Sequence, residues 1–193
     1  MREAYVIDDN FYNINFTEQP LEVGEYENCT FRNCNFEYAD FSNFKFTNCE
    51  FVDCNVSMTK LVGTAFRDVV FKDCKMFGMH FDDCNEFGMF FKFDGCALNN
   101  SVFYKTSIKR TLFKNCKLIE VDFAECDLSN SVFSNCDFSG ATFERTNMEK
   151  ADLRTSFNYT INPESNKLKK TKFSLSEVHG LLRRFDIEID KNS

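Results

Sequence analysis

The chain has 193 residues, a formal net charge of −7 and 43% hydrophobic residues, which fits one domain with a substantial core. No segment approaches the roughly 18 consecutive apolar residues of a membrane span, and the acidic balance disfavours general binding to nucleic acids or anionic membranes. Because the polar N-terminal segment lacks the apolar stretch of a signal peptide, we expect a cytoplasmic protein without membrane or direct nucleic-acid contact.

Residues 1–25 are more acidic than the rest of the chain, with six acidic residues and one basic residue. Large apolar residues at Phe11, Phe16 and Leu21 already share the phase of the pattern that follows. We therefore expect this segment to form either an N-terminal cap or an irregular first coil.

Residues 26–157 repeat with a period of five. A large apolar residue recurs at every fifth position from Tyr26 to Phe81 and, after a slip of two residues, from Leu98 to Leu153. Two positions before these centres the residues are small, and all ten cysteines share the phase of these small positions. Neither the helical period of about 3.6 nor the strand period of about 2 explains this spacing, and a sustained short repeat indicates a solenoid.

A longer period of about 20 residues lies on top of the shorter one and predicts a square coil of four five-residue sides. One inward column is expected to contain Cys34, Cys54, Cys74, Cys96, Cys116 and Cys136. The aromatic column of the preceding side is expected to contain Phe31, Phe51, Phe71, Phe91, Phe113 and Phe133. The opposite column is expected to contain Phe41, Leu61, Phe81, Phe103, Phe123 and Phe143.

The cysteines do not have the spacing of a metal site or of a disulfide framework. Zinc sites use closely spaced cysteine pairs with histidines, whereas the chain has only two histidines, and neither lies beside such a pair. We interpret the cysteines as small, buried apolar residues that are interchangeable with Ala39, Ser101 and Thr106. No metal or other cofactor is expected, and His80 is expected to point outward beside Asp82 and Asp83.

The strings Cys34-Asn-Phe-Glu-Tyr-Ala-Asp-Phe41, Cys126-Asp-Leu-Ser-Asn-Ser-Val-Phe133 and Ala151-Asp-Leu-Arg-Thr155 resemble the A(D/N)LXX signature of pentapeptide-repeat proteins. This resemblance implies an all-β fold, a right-handed quadrilateral β-helix of about seven or eight coils. The functional branch that the chain resembles most is the Qnr and MfpA type of quinolone-resistance protein. A fold alone does not determine function, so the resemblance specifies the architecture better than the activity.

The repeat is interrupted between Cys84 and Cys96, where one of two near-duplicate segments is longer by two residues around Phe90–Phe93. A small outward bulge there would expose Phe87 and Phe90. The bulge is either packed without a role or a contact for a partner.

Residues 158–193 begin with a turn and then change in pattern. Ser174-Leu-Ser-Glu177 has the form of a capping box, which predicts a helix to about Arg184, followed by a strand over Phe185–Ile189. This segment is interpreted either as the cap of the solenoid or as a dimer interface, since the resemblance to the Qnr branch implies a homodimer joined through the C-terminal segment. The apolar residues concerned are Leu175, Val178, Leu181, Leu182, Phe185 and Ile187.

No phosphate loop, nucleophile elbow or histidine–carboxylate pair is present, so we do not expect an enzyme. One outer face is predicted to be acidic, with Asp40, Asp82, Asp83, Asp122, Glu125 and Glu144. The opposite side is predicted to carry a basic stripe of Arg32, Lys72, Lys92, Lys114 and Arg154.

Two functions are compatible with these surfaces. The first is a structural or protein-interaction module with an unknown protein partner. The second, implied by the resemblance, is a DNA mimic that binds DNA gyrase or topoisomerase IV and protects it from quinolones, using the acidic face to occupy a positively charged channel.

Overall fold

The computed structural model describes residues 4–185 and 187–190, which form a solenoid of short parallel strands. The strands are β1 (Ala4–Ile7), β2 (Asn10–Tyr12), β3 (Gly24–Glu27), β4 (Thr30–Arg32), β5 (Lys45–Thr47), β6 (Glu50–Val52), β7 (Ala65–Arg67), β8 (Val69–Lys72), β9 (Phe91–Asp94), β10 (Leu112–Lys114) and β11 (Val132–Ser134). The helical elements of the described residues are three 3₁₀ turns, Phe81–Asp83, Val178–Leu181 and Arg183–Phe185.

The strands form two sheets whose order follows the winding of the chain. One sheet has the order β1-β3-β5-β7, and the other has seven strands in the order β11-β10-β9-β8-β6-β4-β2. Isolated parallel bridges such as Asn35 to Asn55 and Asp122 to Thr142 continue the same register on the remaining two sides. The predicted β-helix is therefore confirmed, with about seven turns.

Corners between the sides use left-handed backbone conformations. Asn33 has a φ of 51° and Asp53, one coil later, has a φ of 53°. Asparagine, aspartate and glycine adopt this region at the lowest cost, which explains why they recur there. Asparagine also pairs between coils, since Asn33 Nδ2 donates to Asn13 Oδ1 at 2.7 Å.

The core consists of stacked rings, and one predicted column needs a correction. Phe71 pairs with Phe93, not with Phe91, and their rings stack at 5.5 Å. Phe91 instead lies opposite Val69 and contacts the ring of Phe66 in a tilted geometry at 5.5 Å. The two extra residues are accommodated before β9, so the repeat is already back in phase when β9 enters the column.

The ten cysteines are free and buried, and the thiols of eight of them also donate to backbone carbonyl oxygens. Cys54 Sγ lies 3.3 Å from the carbonyl oxygen of Phe31 in the preceding coil, and Ser156 Oγ donates to the carbonyl oxygen of Phe133 at 3.0 Å. The interpretation of these positions as simply small and apolar was therefore incomplete. Cysteine, serine and threonine share a hydrogen-bond donor, although that of cysteine is weak.

The predicted C-terminal helix takes the form of the last two 3₁₀ turns. Ser174 Oγ accepts a hydrogen bond from the Glu177 N–H at 3.3 Å, which is one half of a capping box. The chain then bends closely around the end of the solenoid, where a Cβ on Gly180 would lie 2.3 Å from the carbonyl oxygen of Tyr159. The strand predicted over Phe185–Ile189 is wrong where the structure describes it, because Phe185 ends the last 3₁₀ turn and residues 187–190 have no regular secondary structure; Asp186 lies outside the described residues.

Candidate functional site

The outer surface, rather than an enclosed cavity, is the candidate functional region, because stacked side chains fill the interior of the coils. In the part of the chain that the structure describes, no three His, Cys, Asp or Glu side chains are arranged to hold a metal ion. Over the same residues, none of the helical segments has the length and apolar character that crossing a bilayer requires.

The face that was predicted to be acidic is mixed in charge. Its bridging positions in successive coils are Asp40, Lys60, His80, Val102 and Asp122. The carboxylate of Asp40 lies 3.9 Å from Lys60 Nζ, and Asp122 Oδ1 accepts the N–H of Ala124 at 2.8 Å.

Glu125 is the most strongly paired carboxylate of this face. It contacts the guanidinium of Arg145 in the next coil, and Lys105 Nζ in the preceding coil lies 3.6 Å from it. The hydrogen bond from Arg145 holds the pKa of Glu125 below its usual range. Glu144, beside Arg145, is exposed and accepts a hydrogen bond from Ser165 Oγ at 3.3 Å.

His80 and two aspartates lie at the 3₁₀ turn of the same face. His80 is 58% exposed, and its Nδ1 lies 3.3 Å from Asp82 Oδ1, so the structure contains a histidine–carboxylate pair that was not predicted from the sequence. Asp83 is exposed to solvent. The structure therefore places all six predicted acidic residues on the outer surface, but basic side chains separate them into short groups.

The basic stripe does not form as predicted. Lys92 pairs with Val70 and Leu112, two residues along the same side from the position that Lys72 and Lys114 share. Asp94 lies between those two lysines in the ladder and forms an ion pair with Lys114 at 2.9 Å. Of the remaining members, Arg154 pairs with Asp152 at 2.8 Å, and Arg32 is followed by Val52 in the next coil.

The bulge presents one aromatic ring to solvent and half-buries the other. Phe87 is 79% exposed, and the guanidinium of Arg67 lies 5.8 Å from its ring centre. The Phe87 N–H donates to Asn85 Oδ1 at 2.9 Å, which fixes the backbone of the bulge. Phe90 is half-buried, and Lys92 Nζ lies 5.9 Å from its ring centre.

The C-terminal apolar residues divide into two groups. Leu181 packs against the core, whereas Leu175 is 90% exposed. Leu175, Val178 and Leu182 line an open groove of about 850 Å³ together with Ile189. The predicted residues Phe185 and Ile187 are also exposed.

Sequence reasoning missed the sheet edges at the N-terminal end, which are uncovered within the described residues. β1 and β2 are the terminal strands of their sheets, and the outward side chains of Tyr5, Ile7 and Tyr12 are exposed beside them. The sequence signal that could have located this edge is the presence of Phe11 and Phe16 in the phase of the repeat, which indicates that the coils extend N-terminally of residue 26.

Comparison with protein families matches the model described as "Pentapeptide repeat region" to residues 25–103 and 89–181, which together span most of the chain. Comparison with curated protein sequences gave no significant match.

Three solved structures are similar to the chain. A trypsin-treated variant of QnrB1, a plasmid-mediated fluoroquinolone resistance protein, is 19% identical over 96% of this chain and 99% of its own, with a TM-score of 0.49. HetL of the cyanobacterium Nostoc sp. strain PCC 7120, involved in heterocyst differentiation regulation, is 13% identical over 88% of this chain and 87% of its own, with a TM-score of 0.32. Rfr23 of the cyanobacterium Cyanothece 51142 is 14% identical over 89% of this chain and 88% of its own, with a TM-score of 0.20. Since these TM-scores are below 0.5, the family assignment rests on the repeat model.

Proposed function

The chain belongs to the pentapeptide-repeat family, and we propose that it works as a rigid, non-enzymatic rod that binds a protein partner through its outer surface. The observation that carries this proposal is the bulge, where Phe87 is held in solvent against Arg67. A large apolar side chain with a fixed position loses little conformational freedom on binding, and aromatic residues and arginine are enriched among residues that dominate interfaces. We therefore propose Phe87 and Phe90 as a partner contact.

The test of this proposal compares partner binding by the wild-type chain and by Phe87→Asp. Proteins that copurify with the tagged wild-type chain from its native cytoplasm, our expected location, are identified, and the affinity of each is then measured with purified components. We expect Phe87→Asp to weaken binding at least about tenfold, whereas Tyr38→Asp, an exposed aromatic position away from the bulge, leaves it unchanged. An equal affinity of both variants for every partner would refute the bulge as the contact.

We also propose that two copies associate through the C-terminal groove. Leu175, Val178, Leu182 and Ile189 present apolar surface there, and a second copy could cover it by a symmetric contact. Sedimentation equilibrium should show a dimer for the wild-type chain and a monomer for Leu175→Asp. A wild-type chain that remains monomeric would exclude this interface.

DNA mimicry is the second candidate function, and the excess of carboxylates on the face that contains Asp82, Asp83 and Asp122 favours it. Against it, Lys60, Lys105 and Arg145 neutralise part of that face through ion pairs between coils. A mimic of DNA depends on its carboxylates acting together, and its binding must weaken steeply with salt.

The experiment that separates the two functions is a DNA gyrase supercoiling assay with and without a fluoroquinolone. Mimicry predicts inhibition or protection by the wild-type chain, and loss of that effect when Asp82, Asp83, Asp122 and Glu125 are replaced by lysine together. An interaction module that uses the bulge predicts no effect on supercoiling and a partner affinity that is nearly independent of salt.

A further inference from the structure

The two ends of the solenoid are built differently. At the C-terminal end the chain folds back over the last coil, so that the Ile161 N–H donates to the Gly180 carbonyl oxygen at 3.1 Å and Tyr159 packs against the ring of Phe173. At the other end, β1 and β2 each have one neighbouring strand, β3 and β4 respectively. Within the described residues, the outer edges of both strands are therefore uncovered.

These edges present unpaired backbone groups. Ala4, Asp8 and Asn13 direct their N–H groups to the following coil, with distances of 2.9 to 3.0 Å. Since backbone groups alternate in direction along a strand, the N–H and C=O groups of Tyr5, Ile7 and Tyr12 point to the uncovered side. An edge with this geometry is a template for an additional strand.

The interior surface at this end is also incompletely covered. Phe11 stacks on Phe31 at 4.7 Å on one side, but it remains half-buried, as does Val6. Val6 and Phe11 lie on strands of different sheets, with a corner at Asp8 between them, so a segment that adds one rung must bend at that corner. On each side it would place every second side chain over Val6 or Phe11 and would point the alternate side chains outward. The geometry thus favours apolar residues at alternate positions of the incoming strand.

The negative charge of residues 4–25 determines which outward side chains of an incoming segment are favoured. Residues 4–25 contain Asp8, Asp9, Glu18, Glu22 and Glu25 and no lysine or arginine. Of these carboxylates only that of Glu25 forms an ion pair within the described residues, with Lys45 of the following coil. A second acidic copy of the same end would be repelled, whereas a basic strand would be attracted.

We propose that the edges of β1 and β2 bind a segment of a protein partner that is extended along each strand, bends at the corner between them, and alternates basic with apolar residues. The segment would form a further parallel rung through the backbone groups of Tyr5, Ile7 and Tyr12, and its basic side chains would lie beside Asp8 and Asp9. This inference goes beyond the proposed function, because it concerns a different surface from the bulge and the C-terminal groove.

The test measures binding of a fluorescein-labelled peptide, in which two stretches of alternating lysine and valine are joined by Asn-Gly to turn the corner, to the full chain by fluorescence anisotropy at low salt. A peptide of alternating glutamate and valine is the control, and we expect the lysine peptide to bind at least about tenfold more tightly. The matched variants are Tyr12→Pro and Tyr12→Thr. Both remove the aromatic side chain, but only proline removes the N–H, and proline is tolerated at edge positions whose N–H faces outward.

We expect Tyr12→Pro to weaken binding at least about fivefold relative to Tyr12→Thr, which is the effect of one net hydrogen bond. If Tyr12→Pro does not unfold at the same urea concentration as Tyr12→Thr, the pair Ile7→Pro and Ile7→Thr replaces it.

Equal affinity of the proline and threonine variants, equal affinity for the two peptides, or no saturable binding of the lysine peptide would each overturn the inference. Self-association that Tyr12→Pro abolishes would overturn it as well, because a second copy would then be the occupant. Phe87→Asp should leave peptide binding unchanged, so failure here is distinguishable from failure of the bulge proposal.

Discussion

Replacement of Phe113 by alanine tests whether the ring columns dominate the stability of the rod. Phe113 has no exposed surface, and its ring stacks on Phe93 and on Phe133, at 4.9 Å in each case. It also makes edge contacts with Phe103 at 6.3 Å and with Phe123 at 6.4 Å. The expected loss of unfolding free energy is about 3–5 kcal/mol for a buried Phe→Ala change. Each stacked pair contributes about 0.5–1.5 kcal/mol beyond area burial, which favours the upper half of that range.

The backbone around Phe113 cannot close the resulting cavity, because β10 is hydrogen-bonded to β9 on one side and to β11 on the other. Urea unfolding followed by circular dichroism and tyrosine fluorescence measures the change, since the chain has no tryptophan. Phe87→Ala, at the exposed bulge, is the matched control and should change stability by less than about 0.5 kcal/mol. A loss below about 1 kcal/mol for Phe113→Ala would refute the assignment of this column as the main source of stability.

Three further predictions concern single positions. Cys136→Ser should lower the free energy of unfolding in urea by less than about 1 kcal/mol, because Ser156 makes the equivalent hydrogen bond one coil later. Cys136→Leu should lower it by about 1–3 kcal/mol through overpacking. Equal losses for the two variants would contradict the donor role of this position. All ten cysteines are buried, and burial raises the pKa of the Cys49 thiol to about 12. A thiol reagent at neutral pH should therefore label less than one cysteine per native chain and all ten after denaturation. Rapid labelling of the native chain would show that the coils open. The hydrogen bond from Arg154 lowers the pKa of Asp152 to about 2. The charged Asp152 side chain therefore stabilises the folded chain by about 1 kcal/mol after solvent screening. This stabilisation is present above the unfolded pKa near 4 and is lost as the pH falls through 2. Asp152→Asn should therefore be less stable than the wild-type chain at neutral pH and equally stable near pH 2, and a difference that persists in acid would exclude this cause.

The repeat predicted the fold because each of its positions has one physical role. A large residue fills the column, a small donor sits two positions earlier, and a residue such as Asn33 turns the corner. The column at the interruption could not be predicted in the same way. Phe87, Phe90, Phe91 and Phe93 are all aromatic, so composition does not show which of them holds the phase, and only the pairing of β9 decides it.

The charged surface was predictable in part. Lys105, Glu125 and Arg145 are 20 residues apart, and this spacing places them side by side in successive coils. Their pairing, which weakens the acidic face, could thus have been found from the sequence. The C-terminal segment could not, because one half of its capping box forms, yet the chain continues as 3₁₀ turns in which Gly180 lies close against Tyr159.

The parallel register has a consequence for how such a rod can change over evolutionary time. Residues of one coil pair with those about 20 positions before and after them, so a whole coil can be duplicated or deleted while every other pairing is kept. Each such step changes the length by about 4.8 Å, the spacing of adjacent strands, and leaves the side-chain rows on every flank aligned. The distance between two binding surfaces on such a rod can therefore change in fixed steps of one coil while the surfaces themselves stay the same.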